Sequence, residues 1–286
     1  MKSWTIAATL VAAFAVSPAW AQQPATPHVV AQLQPFLDRA KVVDVMIDGQ
    51  PARMLFDTGA GVTTISPDLA QRIGCTPHGT FVGHRLTGQS VRAQKCGEHK
   101  VALGTHVGTV DAVVLDPAAL MPAGTPAFDG FLGLDAFDGA VVTLDLADDR
   151  LIVETPESLA ERIGDDPGAA TRRQTESGGR GLAVFAPIEA TVGSLWFLVD
   201  SGNMANIMVA PQTLEQWSFT PEQIAAAVES RTGVAVPFNI IAAPRSPERV
   251  AVREMIHDGV LNERLIAAYE VTFDLKNDRI WYRMPQ

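Results

Sequence analysis

Cysteine is scarce in this chain: Cys75 and Cys96 are the only two. They do not form a Cys-x-x-Cys pair, and none of the six histidines (His28, His78, His84, His99, His106, His257) stands at a metal-binding spacing. The sequence therefore offers neither a redox motif nor a metal site, and the histidines read as surface or loop residues. Basic residues are outnumbered, 22 Lys and Arg against 32 Asp and Glu. A net charge of -10 argues against nucleic acid or an anionic membrane surface as partner. No Gly-x-Ser-x-Gly occurs, so a nucleophile elbow is missing. Gly59-Ala60-Gly61 follows an apolar run, but without the third glycine of a dinucleotide loop. Beyond residue 16 no segment is apolar enough to cross a membrane.

The one strongly apolar stretch lies at the start. Lys2 precedes an apolar run over 4–16, and Ala19-Trp20-Ala21 supplies a cleavage site of the A-x-A kind. The run is short for a span, so residues 1–21 are expected to be a signal peptide cut after Ala21, with export to the periplasm or the medium. Thiols oxidise there, and Cys75 and Cys96 are expected to pair, two buried thiols being the alternative. Residues 22–38, rich in Gln, Pro and Ala, read as a loose N-terminal arm. With 47% hydrophobic residues the remainder can bury a sizeable core, as one large domain or two modest ones.

What organises the chain is MLFDTGAGVTTIS, residues 54–66. Met54, Leu55 and Phe56 read as the end of a buried strand, and Asp57 stands at its exit, before Thr58, Gly59, Ala60 and Gly61. A carboxylate delivered by a strand onto a small-residue loop is a candidate acid or base. Asp alone could simply start a turn, but the pattern recurs: residues 196–203 read WFLVDSGN, with Asp200, Ser201 and Gly202. Each apolar run is the second strand of a predicted hairpin, turning at Asp48-Gly49 in one case and Gly193-Ser194 in the other. Residues 130–153 laid over 259–282 match at 8 of 24 positions, including Val142, Thr143, Asp145 and Arg150 against Val271, Thr272, Asp274 and Arg279. The two halves are duplicated, and the second lacks a segment that the first carries after its Asp loop.

Twin Asp-Thr/Ser-Gly loops resemble the aspartic proteases of the pepsin and retropepsin kind. The resemblance implies a mainly β, bilobal acid-protease-like fold of two duplicated small β-barrel lobes, over 39–154 and 182–286, joined by a charged, glycine-rich linker over 155–181. It implies an aspartic endopeptidase with Asp57 and Asp200 as the catalytic pair, acting on a peptide or protein substrate as a monomer without metal or organic cofactor. Thr58 and Ser201 would brace the loops, with Gly59, Ala60 and Gly202 leaving room for close approach. Phe131-Leu132-Gly133 matches the apolar-apolar-Gly segment packed beneath such a loop. A flap would follow the first loop, with Thr87, Gly88 and Gln89 at its tip. Asn203 and Asn262 depart from the pattern, since a small residue or Thr and a Gly are usual there. Two alternatives stay open: a non-catalytic exported binding protein on this scaffold, and a protease built by homodimerisation of the first lobe.

Overall fold

The computed structural model describes residues 26–175, 179–191, 193–240, 243–244 and 248–285. The expected signal peptide lies outside them. Strands dominate and form three sheets. In the strand Ala40–Ile47 apolar β-branched residues point inward, and Asp48 (φ 46°) and Gly49 (φ 80°) take the left-handed conformations of a two-residue hairpin. Ile47 therefore pairs with Gln50 and Val42 with Leu55, leaving Asp57 one residue past the strand Gln50–Phe56.

The first sheet has eight strands and curls until Met46 and Ile47 also pair with Ala102 and Val101 of the long strand Ser90–Leu103. That pairing closes a small barrel. His99 lies in this strand rather than on the surface. It is buried, with its Nδ1 2.6 Å from Asp48 Oδ2, while the Lys100 N–H donates to Asp48 Oδ1 at 2.8 Å. A buried imidazole needs such a partner, and no local pattern reveals one 51 residues away. The second half repeats the plan. Ala183–Glu189 pairs with Ser194–Leu198, and Val234–Val236 pairs with Glu248–Val252. A few residues on, Ile240 reaches Ile188, closing the second barrel.

A third, six-stranded sheet joins the halves and takes strands from both. At its centre Val141–Asp145 lies antiparallel to Glu270–Asp274, with Thr143 opposite Thr272 and their hydroxyl oxygens 2.8 Å apart. These are the residues that the sequence repeat superimposes, so the approximate two-fold axis of the duplication passes between them. The composition of residues 22–38 predicts a loose arm, but the structure corrects this from Val29 onward. Val29–Gln32 pairs residue by residue with Arg150–Val153, and Gln34–Phe36 pairs with the start of Ala40–Ile47. The arm covers what would be an unpaired apolar edge, and Leu33 and Phe36 are buried in doing so.

Between the halves, Thr155 and Ser158 form a reciprocal cap on the helix Pro156–Ile163. Ala169–Ala170 then joins the third sheet, and Arg172–Gln174 pairs with Ala183–Phe185. Cys75 and Cys96 form a disulfide with Cα atoms 5.8 Å apart, tying the end of the helix Pro67–Arg72 to the strand Ser90–Leu103.

Candidate active site

Both acidic loops are held by parallel strand pairs. Met54, Leu55 and Phe56 run beside Gly130, Phe131 and Leu132, and the Asp57 N–H donates to Leu132 O at 3.0 Å. In the second half Phe197 and Leu198 run beside Gly259 and Val260. The loops are then locked together across the seam. Thr58 Oγ1 donates to Val199 O at 2.6 Å and accepts from the Ser201 N–H at 3.0 Å. Ser201 Oγ accepts from the Thr58 N–H at 3.0 Å and donates to Phe56 O at 3.5 Å. Both hydroxyls are buried and fully used.

This lock brings the two acidic loops face to face, with each carboxyl packed against the glycine of the opposite loop. The Gly59 N–H donates to Asp57 Oδ1 at 2.8 Å and the Gly202 N–H to Asp200 Oδ1 at 2.9 Å. A Cβ on Gly59 would lie 2.4 Å from Asp200 Cγ, and one on Gly202 would lie 2.6 Å from Asp57 Cγ. Glycine is required at both places because the opposing carboxyl occupies the space. Ala60 completes the turn, its N–H donating to Asp57 O at 3.2 Å. Burial pushes the Asp57 carboxyl above its usual range, opposed in part by the Gly59 N–H. Asp200 is pushed well above it, first by burial and then by the charge of Asp57. Two acids so placed share one proton, and the titration belongs to the pair. The arrangement can present an ionised base and a protonated acid side by side at one pH.

A second layer supports the loops, and sequence reasoning missed most of it. Asp135 is buried beneath the first loop, its Oδ1 accepting from Thr63 Oγ1 at 2.6 Å and its Oδ2 from the Thr63 N–H at 2.8 Å. Thr63 Oγ1 in turn accepts from the Gly133 N–H at 3.1 Å, and a Cβ on Gly133 would lie 2.8 Å from Asp135 Oδ1. The available signal was an acid two residues after Gly133 in an otherwise apolar run. The second half does this work with amides. Asn203 Nδ2 donates to Leu261 O at 3.2 Å, and Asn262 Nδ2 donates to Ala205 O at 2.8 Å while its Oδ1 caps the helix Glu263–Ile266. The two departures from the glycine and threonine pattern are thus satisfied structural substitutions. Arg39 crosses between the halves, bonding Met204 O and pairing with the buried Glu263 at 3.2 Å.

Residues 43–136 match the family model for aspartyl proteases. No curated protein matches the chain. The aspartyl protease match holds the Asp57 loop, Gly133 and Asp135, and it supports a protease-like hydrolase. It ends before the second half, whose part in the site rests on the geometry above.

Within the matched region, the hairpin of His78–His84 and Ser90–Leu103 is the one expected as a flap, and its turn borders the cavity that holds both aspartates. Its turn is closed by the Arg85 N–H to Gln89 O at 2.9 Å and the Gly88 N–H to Arg85 O at 2.8 Å. Thr87 and Gln89 line the cleft, whereas Gly88 (φ 79°) faces Ile256 of the other half. The Ile256 N–H donates to Leu86 O at 3.0 Å, so the tip is docked on the opposite wall. In the second half the helices Pro211–Glu215 and Pro221–Glu229 follow the Asp200 loop in the chain, before the strand Val234–Val236. The cleft beneath holds about 750 Å³ and opens on both aspartates. Phe81, Leu120, Met121 and Phe131 form its apolar side in the first half, and Met208 and Met255 face them from the second.

Among the described residues, Cys75, Cys96 and His99 are the only group of three side chains close enough to share a metal. The two sulfurs are bonded to each other and are not thiolate ligands.

Proposed function

We propose that the chain is an aspartic endopeptidase whose water is activated by Asp57 and Asp200 together. The observation that carries this reading is the packing of each loop glycine against the other loop's carboxyl. The ionised member takes a proton from a water between the two carboxyls as that water attacks the scissile carbonyl carbon. The protonated member donates to the carbonyl oxygen, and the pair then returns a proton to the departing amine. Substrate lies extended under the flap, and the apolar walls take the side chains beside the cut bond. The leader supports an exported, periplasmic or secreted location, and the pairing of both loops within one chain supports a monomer over a dimer of first lobes.

The test is digestion of a peptide library between about pH 3 and 7, where carboxyl pairs exchange a shared proton. Wild type should cut within extended peptides, and Asp57→Asn should lose about 10³-fold in kcat/KM while keeping its fold. Cleavage unchanged in Asp57→Asn overturns the mechanism. Binding of peptides without any turnover would favour the non-catalytic alternative.

A further inference from the structure

The cleft brings together bases in an acidic chain. Among the described residues lining it, only Asp57 and Asp200 are acidic, while Arg85 and Arg253 are cationic and His84 and His257 are ionisable, burial lowering the pKa of His257. This occurs in a sequence with ten more acids than bases. The basic groups sit on two facing walls. His84 and Arg85 stand at the end of the flap strand, and Arg253 and His257 flank Met255, which packs with Leu86 of the flap tip. Seven arginines, Arg39, Arg53, Arg72, Arg150, Arg162, Arg173 and Arg180, pair with carboxylates, and none of these lines the cleft. Among the described residues neither Arg85 nor Arg253 has a carboxylate within ion-pair distance. Arg253 Nη1 donates to Val252 O at 2.7 Å, which leaves the rest of its guanidinium to the solvent. The nearby acid Asp258 is committed elsewhere, its Oδ2 accepting from the Trp196 N–H at 2.9 Å. Glu254 does not line the cleft.

An exposed guanidinium keeps its fork of donors available for a carboxylate, and two on opposite walls bracket whatever lies between them. A lysine-bearing peptide would meet like charge on both sides, a cost that selects against it. We infer that the cleft takes peptides with an apolar residue at the cut bond and a Glu or Asp close by, the acidic side chain held by Arg85 and Arg253. This deepens the proposed function and rests on its assignment of the cleft to peptide.

The test uses fluorescent peptides with Phe-Leu at the centre and Glu, Gln or Lys at each flanking position in turn. Binding is read by anisotropy on Asp57→Asn, and cleavage on wild type. At about pH 5.5, where Glu is ionised, the best Glu peptide should bind at least about fivefold more tightly than its Lys counterpart, and salt should shrink the gap. Arg85→Gln with Arg253→Gln should abolish the preference, and Arg85→Lys with Arg253→Lys should keep it. Equal binding of the three series, tighter binding of the Lys series, no binding at all, or a preference unchanged in the double Gln variant would overturn the inference. Preferential binding of Glu peptides with no cleavage would leave it standing while overturning the protease reading.

Discussion

At the scale of single residues, the site is a set of costs offset by neighbours. Asp57 and Asp200 are each raised above the ordinary carboxylate range, mainly by burial. Raised carboxyls lower stability once both folded and unfolded states are ionised: the unfolded chain releases its protons first as pH rises, and the folded chain must then give up a proton it holds more tightly. Stability from this source is greatest at acid pH and is lost as pH climbs through the folded-state values. Asp200→Asn removes the cost, so thermal melts should show the variant gaining on wild type between about pH 4 and 7. A melting difference independent of pH would argue against a coupled buried pair. Asp135 behaves differently. Burial pushes it up to about 6 against two hydrogen bonds from Thr63. Asp135→Ala strands the Thr63 donors and should cost about 1–3 kcal/mol in denaturant unfolding. Activity should fall with it, because the Gly133 and Thr63 contacts set the floor of the first loop. Wild-type stability in that variant would show that the clamp is ornamental.

At the scale of elements, what could be read in advance were the patterns that repeat locally. The two-residue turn at Asp48-Gly49, the Ser66 and Pro67 helix start, and the apolar runs ending in Asp57 and Asp200 all follow from neighbours in sequence. The turn at Thr87, Gly88 and Gln89 follows from its glycine, which takes φ 79°. What escaped was set by distant partners. The arm at Val29–Gln32 is a strand because Arg150–Val153 offers an edge, and Leu86 docks on Ile256 only once both barrels exist. His99 departs from its surface reading for the same reason, as its partner Asp48 ends the neighbouring strand and lies 51 residues away in the chain. The Cys75–Cys96 bridge spans 21 residues between the first helix and the flap strand. Replacing both cysteines by alanine should cost about 3 kcal/mol of stability by freeing the unfolded chain. It should leave kcat/KM within about twofold, since neither cysteine touches the cleft. A large loss of activity without loss of stability would mean that the bridge positions the flap.

At the scale of the whole molecule, the two halves are held by a shared sheet and by the crossed hydroxyl bonds of Thr58 and Ser201. The approximate two-fold axis at Thr143 and Thr272 relates the halves, and the two acidic loops face each other across the seam between them. The halves differ where the duplication has been altered: a flap in the first, helices in the second, a Thr63–Asp135 clamp in one and asparagine amides in the other. Among the described residues, the turn of the first-half hairpin borders the cleft on one side and the second half supplies Met208, Arg253 and Met255 on the other.

The central claim is that both carboxyls of one chain make one catalytic unit, and the kinetics of Asp200→Asn test it most directly. The account predicts that this variant folds, remains monomeric and loses about 10³-fold in kcat/KM, with no recovery when mixed with Asp57→Asn. Cleavage by Asp200→Asn at the wild-type rate would contradict it, because the second loop would then play no part in the chemistry.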